Sequence, residues 1–151
     1  MGTYRKMKTY KKKRSGFTII ELMIVIVIVA ILVSLAYPSY VQYVRKAKRG
    51  EAQQLLLNWA INQEIWRSNN TLYNGVTDTN SPDYIIPGHD DYDFDAPAFD
   101  TASYTLRAVA KTGNDQLKDK ARNGDFCSTL NLNSAGRKYS EDNIAKLACW
   151  D

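Results

Sequence analysis

The sequence predicts an α+β chain: one long N-terminal helix, membrane-spanning in its first half, packed on a small antiparallel β-sheet head. Three observations lead there. An apolar run extends from Phe17 to Tyr37, helical periodicity continues to about Asn69, and strand-like alternation with two cysteines occupies the C-terminal third. At 151 residues the chain has room for one domain plus its anchor.

The apolar run is 21 residues long and Glu21 is its only charged member. About 20 apolar residues suffice to cross a bilayer core as a helix. Before it stand Arg5, Lys6, Lys8, Lys11, Lys12, Lys13 and Arg14 with no acid. Positive charge on that flank holds it in the cytoplasm and sends the C-terminal side outward. A carboxylate within such a segment costs roughly 2.5–3.5 kcal/mol near the bilayer centre and less near an interface. Cleavage between Gly16 and Phe17 would create an amine on Phe17 and make Glu21 the fifth residue of the new chain, and an amine is the natural partner of a carboxylate at low dielectric.

Basic leader, Gly16, Phe17-Thr18-Ile19-Ile20-Glu21 and a long apolar helix together resemble the class III signal of type IV prepilins. The resemblance implies a membrane peptidase that cuts after Gly16 and methylates Phe17, and a role for Glu21 in subunit assembly. It also implies four segments: leader 1–16, transmembrane half-helix 17–37, amphipathic half-helix 38–69 and head 70–151. One departure is Ser15, which separates Arg14 from Gly16 where the family often has a basic residue. The competing readings are a plain anchor, which leaves Gly16-Phe17 and Glu21 unexplained, and a secretory signal, for which the run is too long.

The formal charge of +4 belongs to the precursor. The leader holds seven of the 20 basic residues and none of the 16 acids, so the remainder is net −3. The pI near 9.0 is therefore no argument for nucleic-acid binding. Cys127 and Cys149 are the only cysteines. An even, exported pair reads as a disulfide, with two buried thiols as the alternative. It would close 21 intervening residues and be worth roughly 3 kcal/mol by chain entropy. Neither a metal nor a cofactor is expected: His89 is the single histidine and lies far from the cysteines in sequence.

Pro38 removes one helical hydrogen bond where the apolar run ends. In the resemblance it matches the family's proline where the helix bends or loosens in filaments. Beyond it, Ala52, Leu55, Trp59 and Trp66 form one stripe on a helical wheel, and Leu57, Ile61 and Ile65 a second, roughly 140° away. Two stripes need two partners: the chain's own sheet and, for the second, a neighbouring subunit. Arg45-Lys46-Ala47-Lys48-Arg49 reads as a solvated turn of helix, available to acids on neighbouring subunits or to lipid headgroups. Asn69-Asn70-Thr71 fits a glycosylation pattern, but a three-residue motif is a weak signal and the Asn-Asn pair reads better as a helix end.

Residues 71–102 read as an acidic loop, with Asn74-Gly75, Ser81-Pro82, Pro87-Gly88 and Pro97 as turn formers. Asp91, Asp93 and Asp95 have the opening spacing of a calcium loop, but Ala96 and Ala102 stand where it needs Gly and Glu. Alternation then predicts strands over 103–110 and 126–133, and a return strand over 137–140 after the turn at Asn133-Ser134-Ala135-Gly136.

Two groups of motifs are similar to PilE-type minor pilins, which are related to the ComP-type DNA-uptake pilins. One runs from Tyr37-Pro38-Ser39-Tyr40 through Gln63-Glu64 to Asn69-Asn70-Thr71-Leu72-Tyr73. The other is Gly124-Asp125-x-Cys127-x-Thr129-Leu130-x-Leu132 with Gly136 and Cys149-Trp150. The resemblance implies a minor subunit of a type IV pilus, needed for assembly and for motility, adhesion or DNA uptake. Its partners would be other pilins, the prepilin peptidase, the inner membrane with its assembly machinery, and DNA. It would sit in the inner membrane with a periplasmic head, then in an extracellular filament.

No nucleophile, acid–base or phosphate-cradling motif is present, so an enzyme is not expected. Two alternatives remain to filament building alone: a secretion pseudopilin with the same anchor, and a DNA receptor. For the latter, Lys118, Lys120, Arg122, Arg137 and Lys138 are the candidate phosphate contacts, although acids are interleaved with them.

Overall fold

The computed structural model describes residues 16–73, 86–140 and 147–150. The leader to Ser15, the turns at Asn74-Gly75 and Ser81-Pro82, Asp78, Asp83, Glu141, Asp142 and Lys146 lie outside the described residues. The order of elements is α1 (Ile19–Asn69), β1 (Tyr92–Phe99), β2 (Tyr104–Ala110), β3 (Thr129–Asn133) and β4 (Lys138–Tyr139). Short 3-10 turns occupy Asp115–Lys118 and Leu147–Cys149.

Thr18 caps α1: its Oγ1 accepts from the Glu21 amide at 3.3 Å, which satisfies one of the orphan donors of the first turn. Glu21 also places its carboxylate at the positive end of the helix dipole. The helix continues through Pro38 and ends at Asn69, where the periodicity places its end. Contacts divide the chain into two compact units at Pro38/Ser39. In the first, every large apolar side chain from Phe17 to Tyr37 is exposed, so this segment finds no core among the described residues. The helix is long and apolar enough to cross a membrane.

In the second unit, α1 turns Arg49, Ala52, Leu56, Trp59 and Gln63 inward, at spacings of three and four that keep one face on the core. Four strands form an antiparallel meander in the order β1-β2-β3-β4. On β2, Tyr104, Leu106, Ala108 and Ala110 are buried, in the alternation that a half-buried strand requires. Ala108 pairs with Phe94 on one side and Leu130 on the other, and Leu106 with Leu132. A small residue between two large ones lets the layer fill without a void. Burying Leu56 against this layer is worth roughly 1.5–3 kcal/mol.

Three sequence expectations need correction. The acidic stretch is not all loop, because residues 92–99 form the edge strand β1. Pro97 survives there since it falls at an irregularity between Asp95 and Ala98, on a strand with no neighbour to one side among the described residues. The basic run 45–49 is not a solvated turn: Arg45, Lys48 and Arg49 each pair with an aspartate of the head. The buried stripe is centred on Leu56, with Leu55 and Trp66 only half-buried at its margins. As the second stripe predicted, Leu57, Ile61 and Ile65 stay exposed. Cys127 and Cys149 are joined by a disulfide and wholly buried.

Candidate functional site

The sequence 119–127 folds into a miniature hairpin. Cys127 donates its amide to the Asp119 carbonyl at 3.0 Å, Ala121 to the Asp125 carbonyl at 2.8 Å, and Lys120 bridges Phe126. Gly124 closes the turn at φ 90°, in the left-handed region that a side chain disfavours, and its amide donates to the Ala121 carbonyl. Asn123 and Asp125 bond each other within this turn. Lys120, Arg122 and Asn123 are thereby held at the tip and along one side.

Both strands of the hairpin are tied to α1. At one base, Arg49 Nη1 donates to Asp119 Oδ2 at 2.7 Å, both side chains being out of solvent. Burial pushes the Asp119 carboxyl up, against the pull of the Arg49 guanidinium. At the other base, the disulfide links Cys127 to Cys149, whose carbonyl accepts from Gln53 Nε2 at 2.7 Å. Neighbouring braces fix the same end of the head. Arg45 makes a bidentate pair with Asp115 at 2.8 Å and holds its carboxyl below the usual range. Lys48 and Asn114 both donate to Asp91. Burial pushes the Asp91 carboxyl up, but these two hydrogen bonds outweigh it and hold it low. Asp95 is taken by Arg107. The three acids of the calcium-like spacing thus lie beside or on a strand, and all three serve internal ion pairs, Asp93 with Lys111 at 3.9 Å.

Between hairpin and helix lies an open groove of about 740 Å³, lined by Gln42, Tyr43, Lys46, Arg49, Lys120, Arg122, Asn123 and Ala148. Asp115 and Asp119 are taken by Arg45 and Arg49, and three cations face the groove without a carboxylate partner among the described residues: Lys46, Lys120 and Arg122. Lys120 also lies over the Phe126 ring, 4.6 Å from its centroid. The structure therefore brings together two of the five nominated cations. Lys118 points instead to Asp115 at 3.6 Å. Arg137 is exposed after β3, in a turn where the Asn133 side chain accepts from its amide. Lys138 sits over Trp150 and borders a different, apolar groove with Leu57, Ile61, Ile65 and Tyr104. Sequence reasoning missed Lys46, although Gln42, Lys46 and Arg49 recur at the i, i+4, i+7 spacing of one helix face.

The long helix under an antiparallel, disulfide-closed head defines the class of the type IV pilins, and residues 11–37 match the prokaryotic N-terminal methylation motif. Residues 38–131 match the type IV minor pilin ComP, DNA uptake sequence receptor; this is more than half of the chain, which belongs to that family. All the groove residues except Ala148 lie within the matched span. A fimbrial protein of Neisseria meningitidis serogroup A / serotype 4A is 42% identical over 72 residues, covering 43% of this chain. The match spans 41% of that relative's length.

Proposed function

We propose that this chain is a filament subunit which captures duplex DNA in the groove between α1 and the 119–127 hairpin. The observation that carries the DNA reading is the set of three cations without a carboxylate partner among the described residues, Lys46, Lys120 and Arg122, on a support clamped at both bases. Phosphate contacts need such clusters, and a clamped support loses little freedom on binding. The family description, a DNA uptake sequence receptor, supports the same reading.

Phe17 to Tyr37 anchors the subunit in the inner membrane with the head in the periplasm. The prepilin peptidase cuts after Gly16 and methylates Phe17; on extraction, Glu21 neutralises the Phe17 amine of a neighbour. Pro38 is the point at which the helix loosens. Leu57, Ile61 and Ile65 meet another pilin. These roles rest on the methylation motif, on an apolar segment left exposed among the described residues, and on an exposed apolar stripe.

Mass spectrometry of sheared filaments tests the filament role: a peptide beginning at methylated Phe17 is expected in small amount. Its absence, with the protein confined to the inner membrane, would refute that role. For DNA, Lys120→Glu with Arg122→Glu should abolish duplex binding, and retained affinity would exclude this groove.

A further inference from the structure

Along the sequence, the basic groove begins close to the end of the apolar run. Gln42, Tyr43 and Lys46 follow Tyr37 by five, six and nine residues. Nine helical residues span about 14 Å, so whatever the angle at Pro38, the chain tethers Lys46 within that reach of the point where it leaves the hydrocarbon. The polar headgroup layer is itself roughly 5–8 Å deep on each side. Tyr37, Tyr40 and Tyr43 are all largely exposed along this stretch, and such rings favour the headgroup level of a bilayer.

We infer that, before extraction, the groove holds the phosphate of an anionic phospholipid headgroup on the head's side of the membrane. Charge complementarity favours this occupant. Among the described residues, Asp115 and Asp119 are bound by Arg45 and Arg49, so they do not offset Lys46, Lys120 and Arg122, whereas Asp125, bonded to the neutral Asn123 amide, keeps its charge on the hairpin. Arg49 forms part of the wall with its charge already balanced by Asp119, so among the described residues three cations outnumber the one hairpin carboxylate without a cation, Asp125, and the groove keeps a net positive charge for a lipid phosphate. Lys46 stands nearest the membrane along the chain and makes the first contact; Lys120 and Arg122 close on the phosphate from the hairpin. A zwitterionic headgroup gains less, because its own ammonium offsets its phosphate. A further consequence rests on the DNA reading above: lipid and DNA then compete for one groove, and capture of DNA is confined to subunits that have left the membrane.

The test uses the full chain in an uncharged detergent, titrated with fluorescent phosphatidylglycerol and, separately, phosphatidylcholine. Phosphatidylglycerol should bind more tightly, and Lys46→Gln should weaken it by about fivefold, the worth of one cation near an anionic lipid surface. Lys118→Gln, outside the groove and paired with Asp115, should leave the preference unchanged. Free glycerol phosphate should compete poorly, because it lacks the acyl chains that keep a lipid at the tether. Equal binding of both lipids overturns the inference. So does an equal loss in Lys46→Gln and Lys118→Gln, which would mean diffuse attraction. If phosphatidylglycerol is preferred but duplex DNA does not displace it, the lipid site stands and the DNA reading fails alone.

Discussion

Arg49 and Asp119, seventy residues apart, form a 2.7 Å ion pair from which solvent is excluded, and Asp119 opens the hairpin that carries Lys120 and Arg122. The pair fixes where those cations stand. Removing one partner leaves the other charge buried and uncompensated, so Arg49→Ala should cost about 3–5 kcal/mol. Arg49→Met combined with Asp119→Leu should recover most of it. Urea unfolding followed by tryptophan fluorescence measures both.

The Lys48–Asp91 pair predicts an acid limit. Burial pushes the folded Asp91 carboxyl up, yet its hydrogen bonds prevail and hold it below its ordinary value of 3.8. The stabilisation is therefore complete above that value and is lost as pH falls through the lower, folded one. Asp91→Asn should lower stability at neutral pH and flatten the decline below about pH 4. An unchanged acid limb would show that Asp91 does not contribute it.

Reducing or deleting the disulfide should free the other base of the hairpin. Cys127→Ser with Cys149→Ser should cost about 3 kcal/mol, as expected for a loop of this length. It should also weaken duplex binding, since Gln53 then holds only a slack strand. Calorimetry gives the first effect and fluorescence anisotropy the second.

Two variants separate assembly from folding. Ile61→Ser with Ile65→Ser alters exposed positions and should change head stability by no more than about 0.5 kcal/mol. Recovery of the subunit in sheared filaments should nevertheless fall. Glu21→Ala should likewise enter the membrane normally and be depleted from filaments. Normal incorporation of either variant would remove that residue set from the assembly account.

Much of this architecture was legible from local pattern. The apolar run, the helix end near Asn69 and the alternation of β2 follow from periods of 3.6 and 2, which a single chain displays directly. Strand β1 was hidden because Pro97 and a row of aspartates argue for loop; its place on the sheet edge and its partner Arg107, from β2, are tertiary facts. The basic run 45–49 misled for a similar reason. Its acidic partners Asp91, Asp115 and Asp119 lie more than forty residues away, and only folding shows that three of its cations are spent internally while Lys46 is left without a carboxylate among the described residues. The groove was thus half visible: Lys120 and Arg122 could be nominated, but their separation from Lys118 and Lys138 is a matter of direction, not of sequence position.

The most direct test of the central claim is the salt dependence of duplex binding by the wild-type chain and by Lys120→Gln with Arg122→Gln. If each cation neutralises a phosphate, the slope of log K against log salt should fall in magnitude by about 2 in the double variant, near 0.9 for each phosphate that is no longer neutralised. An identical slope and affinity in the two proteins would contradict the groove as the DNA site.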